Sequence, residues 1–358
     1  MPSLKEIKGR INSISSTLAI TSAMKMVAAA KLQKAQMAIQ NMLPYERRLH
    51  SMLIDLMGAM NISAAASEDG SVRGSGSAER GFDQSGDRLS LSNRHDLAGM
   101  DGAYSLMAQR EVRKVAIVAF ASNSSLCGAF NSNAIREATA VINEYRASGL
   151  GDADITVYSV GRKMAEAMKK LGFPSPADFT KMSDSPSYDA ASALAQELFD
   201  GFVSGRFDKV ELVYNHYKST SSQPTTRQTY LPLSLADTIA DLQAGKIADS
   251  ASESDTNRGA EPVGAPVVRQ GSPTTEDLIV EPSKEALIAT LLPKVIRLRI
   301  FTTLLDSAAA EHAARTVAMQ LATDNGNDLL QELTLEYNKG RQQKITSEIL
   351  DLVGGSMQ

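Results

Sequence analysis

The residues best suited to covalent chemistry lie in the segment Ser124-Ser125-Leu126-Cys127-Gly128, which follows an apolar, β-branched run at 112–120. A cysteine in a strand-to-helix turn can act as a nucleophile when the N-terminus of the helix lowers the pKa of its thiol. No base is placed in the sequence to activate Cys127, so a small buried thiol in a turn is the favoured interpretation. An α/β enzyme that depends on Cys127 is the alternative.

Other common chemical signatures are missing from the sequence. It contains no G-x-x-x-x-G-K-[ST] phosphate loop and no G-x-G-x-x-G turn after a strand. The histidines lack ligand spacing, and one cysteine cannot make a zinc site; the four are His50, His95, His216 and His312. We therefore expect no metal, no cofactor and no catalytic residue in this chain.

Bulk properties exclude several classes of protein. The 358 residues carry a net charge of −4, so no global basic field points to nucleic acid. A single cysteine excludes an intramolecular disulfide and fits a reducing compartment. The N-terminus has no apolar segment typical of a secretory signal, and no run of 18 apolar residues occurs. We expect a cytoplasmic chain of about two domains without direct membrane insertion.

Two long helical stretches are predicted, at about 3–60 and 283–353. They must position any residues with which this chain binds a partner. The first has apolar residues in alternating steps of three and four, which is typical of a helix that faces one partner helix; they are Leu4, Ile7, Ile11, Ile14 and Leu18. Ser3 is a plausible N-cap with Glu6 three residues later. Pro44 should kink this helix rather than end it, because apolar spacing resumes at Leu49.

The segment between these helices alternates strands and helices. Strands are predicted at 112–120, 155–160, 210–218 and 227–233, and helices near 134–145, 164–171 and 188–203. This alternation favours a largely parallel sheet covered by helices, although the strand order cannot be read. The predicted fold class is therefore α/β, with a long antiparallel coiled coil of N- and C-terminal helices and a central Rossmann-like α/β domain.

Two polar segments separate the helices from the α/β domain. Both are rich in Gly, Ser and charge and have little to bury, which indicates mobile insertions. The predicted division is a first coiled-coil helix at 1–60, a polar insertion at 61–105, the α/β domain at 106–235, an acidic loop at 236–280 and a second coiled-coil helix at 281–358.

Polar residues on the two long helices could bind a partner. Residues 1–50 contain eight Lys and Arg against two Glu, a basic track suited to an acidic partner. On the last helix, Asn338, Arg341 and Gln342 share one side with Thr346 near that row, whereas Glu348 points elsewhere. Solvated helix surface is the alternative interpretation of both patterns.

The terminal segments resemble the gamma subunit family of F-type ATP synthases. The resemblance is carried by IKGRINSISSTLAITSAMKMVAAAKLQKAQ (7–36) and by EHAARTVAMQLATDNGNDLLQELTLEYNKGRQQKITSEILDLVGG (311–355). SNSSLCGAFN (122–131) is similar to the family's S-T-D-R-G-L-C-G-G-L-N turn, and EPSKEALIATLLPKVI (281–296) is similar to the start of its C-terminal helix. The resemblance covers most of the chain outside the polar insertions.

This resemblance implies a mechanical role rather than catalysis. In the family, the two terminal helices form a rotating central stalk inside a hexamer of alternating alpha and beta subunits, with one gamma per hexamer. The α/β domain sits with the epsilon subunit on the membrane-embedded c-ring, and ion flow through this ring drives ATP synthesis at the beta sites. The implied location is peripheral, at the cytoplasmic face of the bacterial inner membrane.

The resemblance also implies which residues contact the alpha/beta hexamer, and these positions are Met24, Lys25, Arg315, Arg341, Gln342, Thr346 and Glu348. The sequence departs from the family at the central turn, where Ser124-Ser125 replace Arg-Gly, and at Gly340, where the family usually has Ala. A homodimeric coiled-coil scaffold is a second alternative to the stalk.

Overall fold

The computed structural model describes residues 3–68, 110–233 and 284–355. Two very long helices pair along the molecule, and a four-stranded sheet with its own helices lies at one end of the pair. The predicted α/β class with a long antiparallel coiled coil is confirmed. None of the described helices has an apolar stretch long enough to cross a bilayer.

The first long helix, α1, spans Leu4–Glu68 and begins as the sequence predicts. The hydroxyl of Ser3 accepts a hydrogen bond from the backbone N–H of Glu6 at 3.2 Å, which satisfies one of the free donors of the first turn. The helix continues through Pro44 and ends at Glu68 rather than at residue 60. The rest of the first polar insertion, 69–105, lies outside the described residues.

The second long helix, α6, spans Lys284–Gly355 and contains Pro293. Its 72 residues correspond to a rod of about 110 Å at 1.5 Å per residue. The predicted N-cap, Ser283, and the acidic loop at 236–280 lie outside the described residues.

Cross-helix contacts show that α1 and α6 run antiparallel in one continuous register. Leu18 packs on Gly326, where an added Cβ would lie 2.6 Å from the leucine side chain. The hydroxyls of Thr21 and Thr323 are 3.1 Å apart, and Thr302 donates to Glu46 at 3.1 Å. Partner numbers on α6 therefore fall as those on α1 rise, as the two apolar seams predicted.

The sheet has the order β2-β1-β3-β4. The strands are β1 (Val115–Phe120), β2 (Ile155–Val160), β3 (Lys209–Asn215) and β4 (Thr225–Leu231). The first three are parallel, whereas β4 pairs antiparallel with β3, so the largely parallel sheet that we predicted has one antiparallel edge. The short connection between β3 and β4 explains this direction, because a parallel crossover needs a dozen or more residues.

Four shorter helices complete the α/β domain: α2 (Phe130–Ala147), α3 (Arg162–Lys170), α4 (Thr180–Asp184) and α5 (Tyr188–Val203), with a 3₁₀ turn at Asp152–Asp154. Alternate residues of β1 point to opposite faces of the sheet. Ile117 joins a core with α2 and α3, whereas Val118 joins a core with α5, α1 and α6. Every residue of β1 is consequently buried.

The first quarter of α6 belongs to the core of the α/β domain. Its apolar residues Ile288, Leu292, Val295, Ile296 and Ile300 have at most 1% of their surface exposed. The hydroxyl of Tyr230 on β4 also donates to the backbone carbonyl of Ile296 at 2.9 Å. The same helix then continues as one half of the coiled coil, so the domain and the rod share a rigid element.

Gly161 allows the carboxyl ends of β1 and β2 to approach each other. Its φ is +101°, and a Cβ at this position would lie 2.0 Å from the backbone carbonyl oxygen of Ala121. Since both atoms belong to the backbone, no side chain can move aside to make room.

We expect Gly161→Ala to destabilise the α/β domain much more than Gly172→Ala. Gly172 also has a positive φ, of +91°, but an added Cβ there meets nothing within 4 Å. Gly172→Ala therefore introduces only backbone strain, of order 1–3 kcal/mol, whereas Gly161→Ala also displaces the end of β1. Urea denaturation of the two variants measures the difference, and equal midpoints would contradict it.

Candidate functional site

The turn after β1 encloses the thiol of Cys127. This residue has 1% of its surface exposed, and the amide of Asn131 donates to its sulfur at 3.1 Å. Cys127 packs with Phe130 and with Ala310 of α6. A nucleophile must reach its substrate, so the geometry favours the buried structural thiol over the enzyme alternative.

The helix α6 occupies the place where folds of this topology usually bind ligands. In an open parallel sheet, ligands lie at the carboxyl ends of adjacent strands whose connections leave in opposite directions, here β1 and β3. In this chain, Ser124 after β1 and Tyr217 after β3 instead bind α6 directly.

Little free volume remains in this crevice. A cavity of about 10 Å³ lies between the end of β1 and α6, and its polar lining comes from Ser183, Ser307 and Glu311. That volume is near the lower limit for one water molecule and far below the 300–1,000 Å³ typical of ligand pockets. The crevice is therefore a joint between the domain and the rod rather than a substrate site.

Two groups of polar contacts hold α6 in this joint. Asp306 accepts a hydrogen bond from the backbone N–H of Tyr217 at 2.9 Å, and its other oxygen lies 2.6 Å from Nδ1 of His216. Farther along α6, Arg315 donates to the hydroxyl of Ser124 at 2.6 Å and pairs with Glu311 at 2.8 Å. Arg315 and Glu311 have 9% and 7% of their surface exposed, so water screens this pair poorly.

The joint also includes α1. The hydroxyl of Tyr217 accepts a hydrogen bond from Gln36 at 2.7 Å, and the Tyr217 ring packs beside Leu32, Ala309 and Ala313. Tyr217 therefore touches both helices of the rod from one position after β3.

The ionisable groups of the joint have shifted pKa values. Burial raises the pKa of Glu311, and the neighbouring Arg315 acts in the opposite direction. Burial, together with the positive charges of Arg315 and Lys31, lowers the pKa of His312 to about 4. The hydrogen bond to Asp306 raises the pKa of His216, against its partial burial. His312 is thus neutral at pH 7, whereas His216 gains a proton more readily than a free histidine.

The partner-contact residues predicted from the sequence separate into three places. Lys25 is half-buried and donates to Gln320 across the coiled coil, beside half-buried Met24. Arg315 is enclosed in the joint and bonded within this chain. Only the last group is exposed at the far end of α6, and it comprises Arg341, Gln342, Thr346 and Glu348.

Asp306, His216 and Tyr217 were not identified as functional candidates from the sequence. One signal was present, because Asp306 is the only charged residue between Ile300 and Ala310, in a stretch that is otherwise apolar or small. A lone carboxylate within a buried stretch is expected to have a specific partner. No comparable local signal distinguishes His216 or Tyr217.

The two histidines of the joint should affect stability in opposite pH ranges. Because its folded-state pKa is raised, His216 contributes stability that is complete below the unfolded pKa of about 6.5 and is lost as the pH rises through the folded value. His312, with a folded pKa of about 4, contributes stability above pH ~6.5 that is lost as the pH falls towards that folded value.

We expect His216→Gln to lower the melting temperature more near pH ~6 than near pH ~9. We expect His312→Gln to reduce the fall in melting temperature that occurs as the pH is lowered. Melting curves that shift in parallel at every pH would contradict both assignments.

Comparisons with known proteins match nearly the whole length of this chain to one family. The family model described as ATP synthase matches residues 3–357. The ATP synthase gamma chain of Phocaeicola vulgatus is 47% identical over 357 residues, with 100% of each chain covered. That of Bacteroides thetaiotaomicron is 45% identical over 358 residues, again with 100% of each chain covered.

The fold has neighbours among solved structures. A chain of the rotor of the Euglena gracilis mitochondrial ATP synthase aligns with a TM-score of 0.51 at 18% identity, covering 96% of this chain and 98% of that one. At this identity the likeness concerns the fold alone. Since the family model spans nearly the whole chain and full-length relatives share almost half of its residues, this chain belongs to the ATP synthase gamma-chain family.

Proposed function

We propose that this chain transmits torque between a membrane-embedded ring and the catalytic sites of an alpha/beta hexamer. As a gamma chain, it is the central stalk subunit of an ATP synthase. Its contribution is mechanical: the rod turns inside the hexamer, and its asymmetric surface favours different conformations at successive sites through differential contacts. The catalytic sites themselves then belong to the beta subunits.

One observation carries this proposal: a single helix, α6, belongs both to the core of the α/β domain and to the rod. A domain joined to a rod by a flexible linker could rotate without moving the rod. Here Ile288–Leu304 is packed under the sheet, and the helix then continues without a break to Gly355. Rotation of the domain must therefore move the far end of the rod.

The far end of the rod presents apolar side chains that no described residue covers. Ile345, Ile349, Leu350 and Leu352 of α6 have between 48% and 75% of their surface exposed. Exposed apolar surface of this kind usually marks an interface with another protein. A surrounding alpha/beta hexamer that takes one copy of this chain would enclose this end and leave the α/β domain outside, beside the c-ring and epsilon.

The proposed contacts to the hexamer lie mainly on the exposed end of α6. Arg341 and Gln342 are exposed there, and the hydroxyl of Thr346 donates to the backbone carbonyl of Gln342 at 2.9 Å. Glu348 lies 3.9 Å from Lys344 on the exposed surface. Charged and amide side chains of this kind would engage polar loops of the beta subunits by hydrogen bonds, with Met24 and Lys25 beside the basic track of α1. Arg315, which is bonded to Ser124 and Glu311 within this chain, stays a predicted contact at the edge of this surface.

The proposed location follows from the same arrangement. The relatives are bacterial gamma chains, and the described helices include no membrane-spanning segment. A stalk whose domain rests on a membrane ring would be a peripheral subunit at the cytoplasmic face of the inner membrane.

The proposal predicts a defined stoichiometry. Co-expression of this chain with the alpha and beta subunits of the same organism should yield one copy per hexamer of three alpha and three beta subunits. We expect the ATPase activity of this complex to exceed that of the hexamer alone, since a gamma chain favours different states at the three sites. Native mass spectrometry and an ATPase assay of the same chromatographic peak test both points. A homodimer beside an unaffected hexamer would support the scaffold alternative.

We expect Arg341→Ala with Gln342→Ala to weaken coupling between the stalk and the hexamer. Hydrogen bonds that involve a charged group contribute about 1.5–3 kcal/mol each, so ATP-driven proton pumping should fall several-fold relative to ATP hydrolysis. The control is Lys339→Ala with Gln343→Ala, which likewise removes one cation and one glutamine, from a different side of the same exposed helix. Pumping losses that are equal in the two double variants would contradict a specific role for Arg341 and Gln342.

A further inference from the structure

Polar contacts grip α6 from two opposite sides where it crosses the sheet. Asp306 and Arg315 are nine residues apart, which is two and a half turns at about 3.6 residues per turn. Their side chains therefore leave α6 in opposite directions. Asp306 is held by His216 and by the backbone of Tyr217, whereas Arg315 is held by Ser124.

The two sets of contacts come from different strands of one rigid sheet. Ser124 lies in the turn after β1, and His216 and Tyr217 follow β3 directly. These strands are parallel neighbours, with Val115 paired to Lys209 and Ala119 to Val213. Because the paired strands are rigid, the sheet holds the two contacts at a constant separation.

The surface of α6 between the two contacts offers little resistance to rolling. Ala309, Ala310 and Ala313 are fully buried there and pack against Leu32 of α1 and Cys127 of the β1 turn. Alanine lets the elements approach closely but projects only one methyl group, so it has no side chain that interlocks with a neighbour. The packing of Ile288–Leu304 holds the first part of the helix, and within the joint further resistance to rolling comes from longer side chains with directional bonds.

We propose that Asp306 and Arg315 form a two-sided grip that prevents α6 from rolling in the joint and thereby carries torque from the α/β domain to the rod. One contact resists rolling in one direction, and the other resists rolling in the opposite direction. Ser124 stands where the turn that the segment resembles has Arg, so this form of the grip departs from that common pattern. The inference rests on the proposed stalk function and names the residues through which the stalk is driven.

The test uses the assembled ATP synthase complex with the double variant Ser124→Ala and Asp306→Asn. A bead is attached to the α/β domain, the hexamer is stalled with a non-hydrolysable ATP analogue, and the angular fluctuations of the bead are recorded. The grip predicts a roughly twofold increase in angular variance, because coupling through a rigid element weakens when its restraints are removed. Ser124→Thr keeps the hydroxyl and should retain the variance of the unmodified complex.

The controls change the same residue types away from the grip. Ser125→Ala alters the exposed neighbour in the same turn, and Asp328→Asn alters an exposed carboxylate of α6. Both should leave the angular variance unchanged. If the double variant fails to assemble, the two single substitutions are measured separately, and each should increase the variance.

Unchanged variance in assembled variants would overturn the grip while leaving the stalk function intact. A result in which the unmodified chain does not join the hexamer would instead refute the proposed function. The two failures are therefore distinguishable in the same preparation.

Discussion

Burial of α6 against two different surfaces is the constraint on which the rest of the structure depends. From Ile288 to Leu304 the helix is packed under the sheet and beside α1, and its apolar residues are almost fully excluded from water. Beyond the joint, α1 is its only neighbour among the described elements, and two paired helices can bury only one stripe of each. The molecule therefore changes from a packed domain to a thin rod along a single helix.

The same constraint explains why an α/β domain of this topology has no visible room for a ligand in its crevice. The carboxyl ends of β1 and β3 form a crevice that commonly holds a nucleotide in related folds. Here a run of small residues on α6 fills it, and Ala310 packs against Cys127, whose sulfur accepts a hydrogen bond from Asn131 of α2. Polar groups that could have served chemistry instead fasten a mechanical joint, such as Ser124 to Arg315.

Much of the local structure could be predicted because local patterns determine it. The strand at 155–160 and the helix at 188–203 agree with the structure to the residue, since β-branched runs and helical spacing leave little choice. The candidate contact residues, whose role stays a prediction, differ in their surroundings. Arg341 and Gln342 are exposed as a partner surface requires, whereas Arg315 and Lys25 bond within the chain. A single sequence does not distinguish these cases, because the partner of a long charged side chain is set by whatever lies opposite it.

By itself, the sequence determined that two long helices pair antiparallel around an α/β domain, and its resemblance to gamma subunits determined the family. Periodicity and composition suffice for this, since they act over neighbouring residues on one face of a helix or strand. Only the tertiary structure decided the strand order, the antiparallel direction of β4 and the seating of α6 in the crevice. It also decided that Asp306 meets His216 and Tyr217, residues about ninety positions away in the chain. Such contacts depend on how the sheet and the rod come together in space, which no spacing along the sequence records.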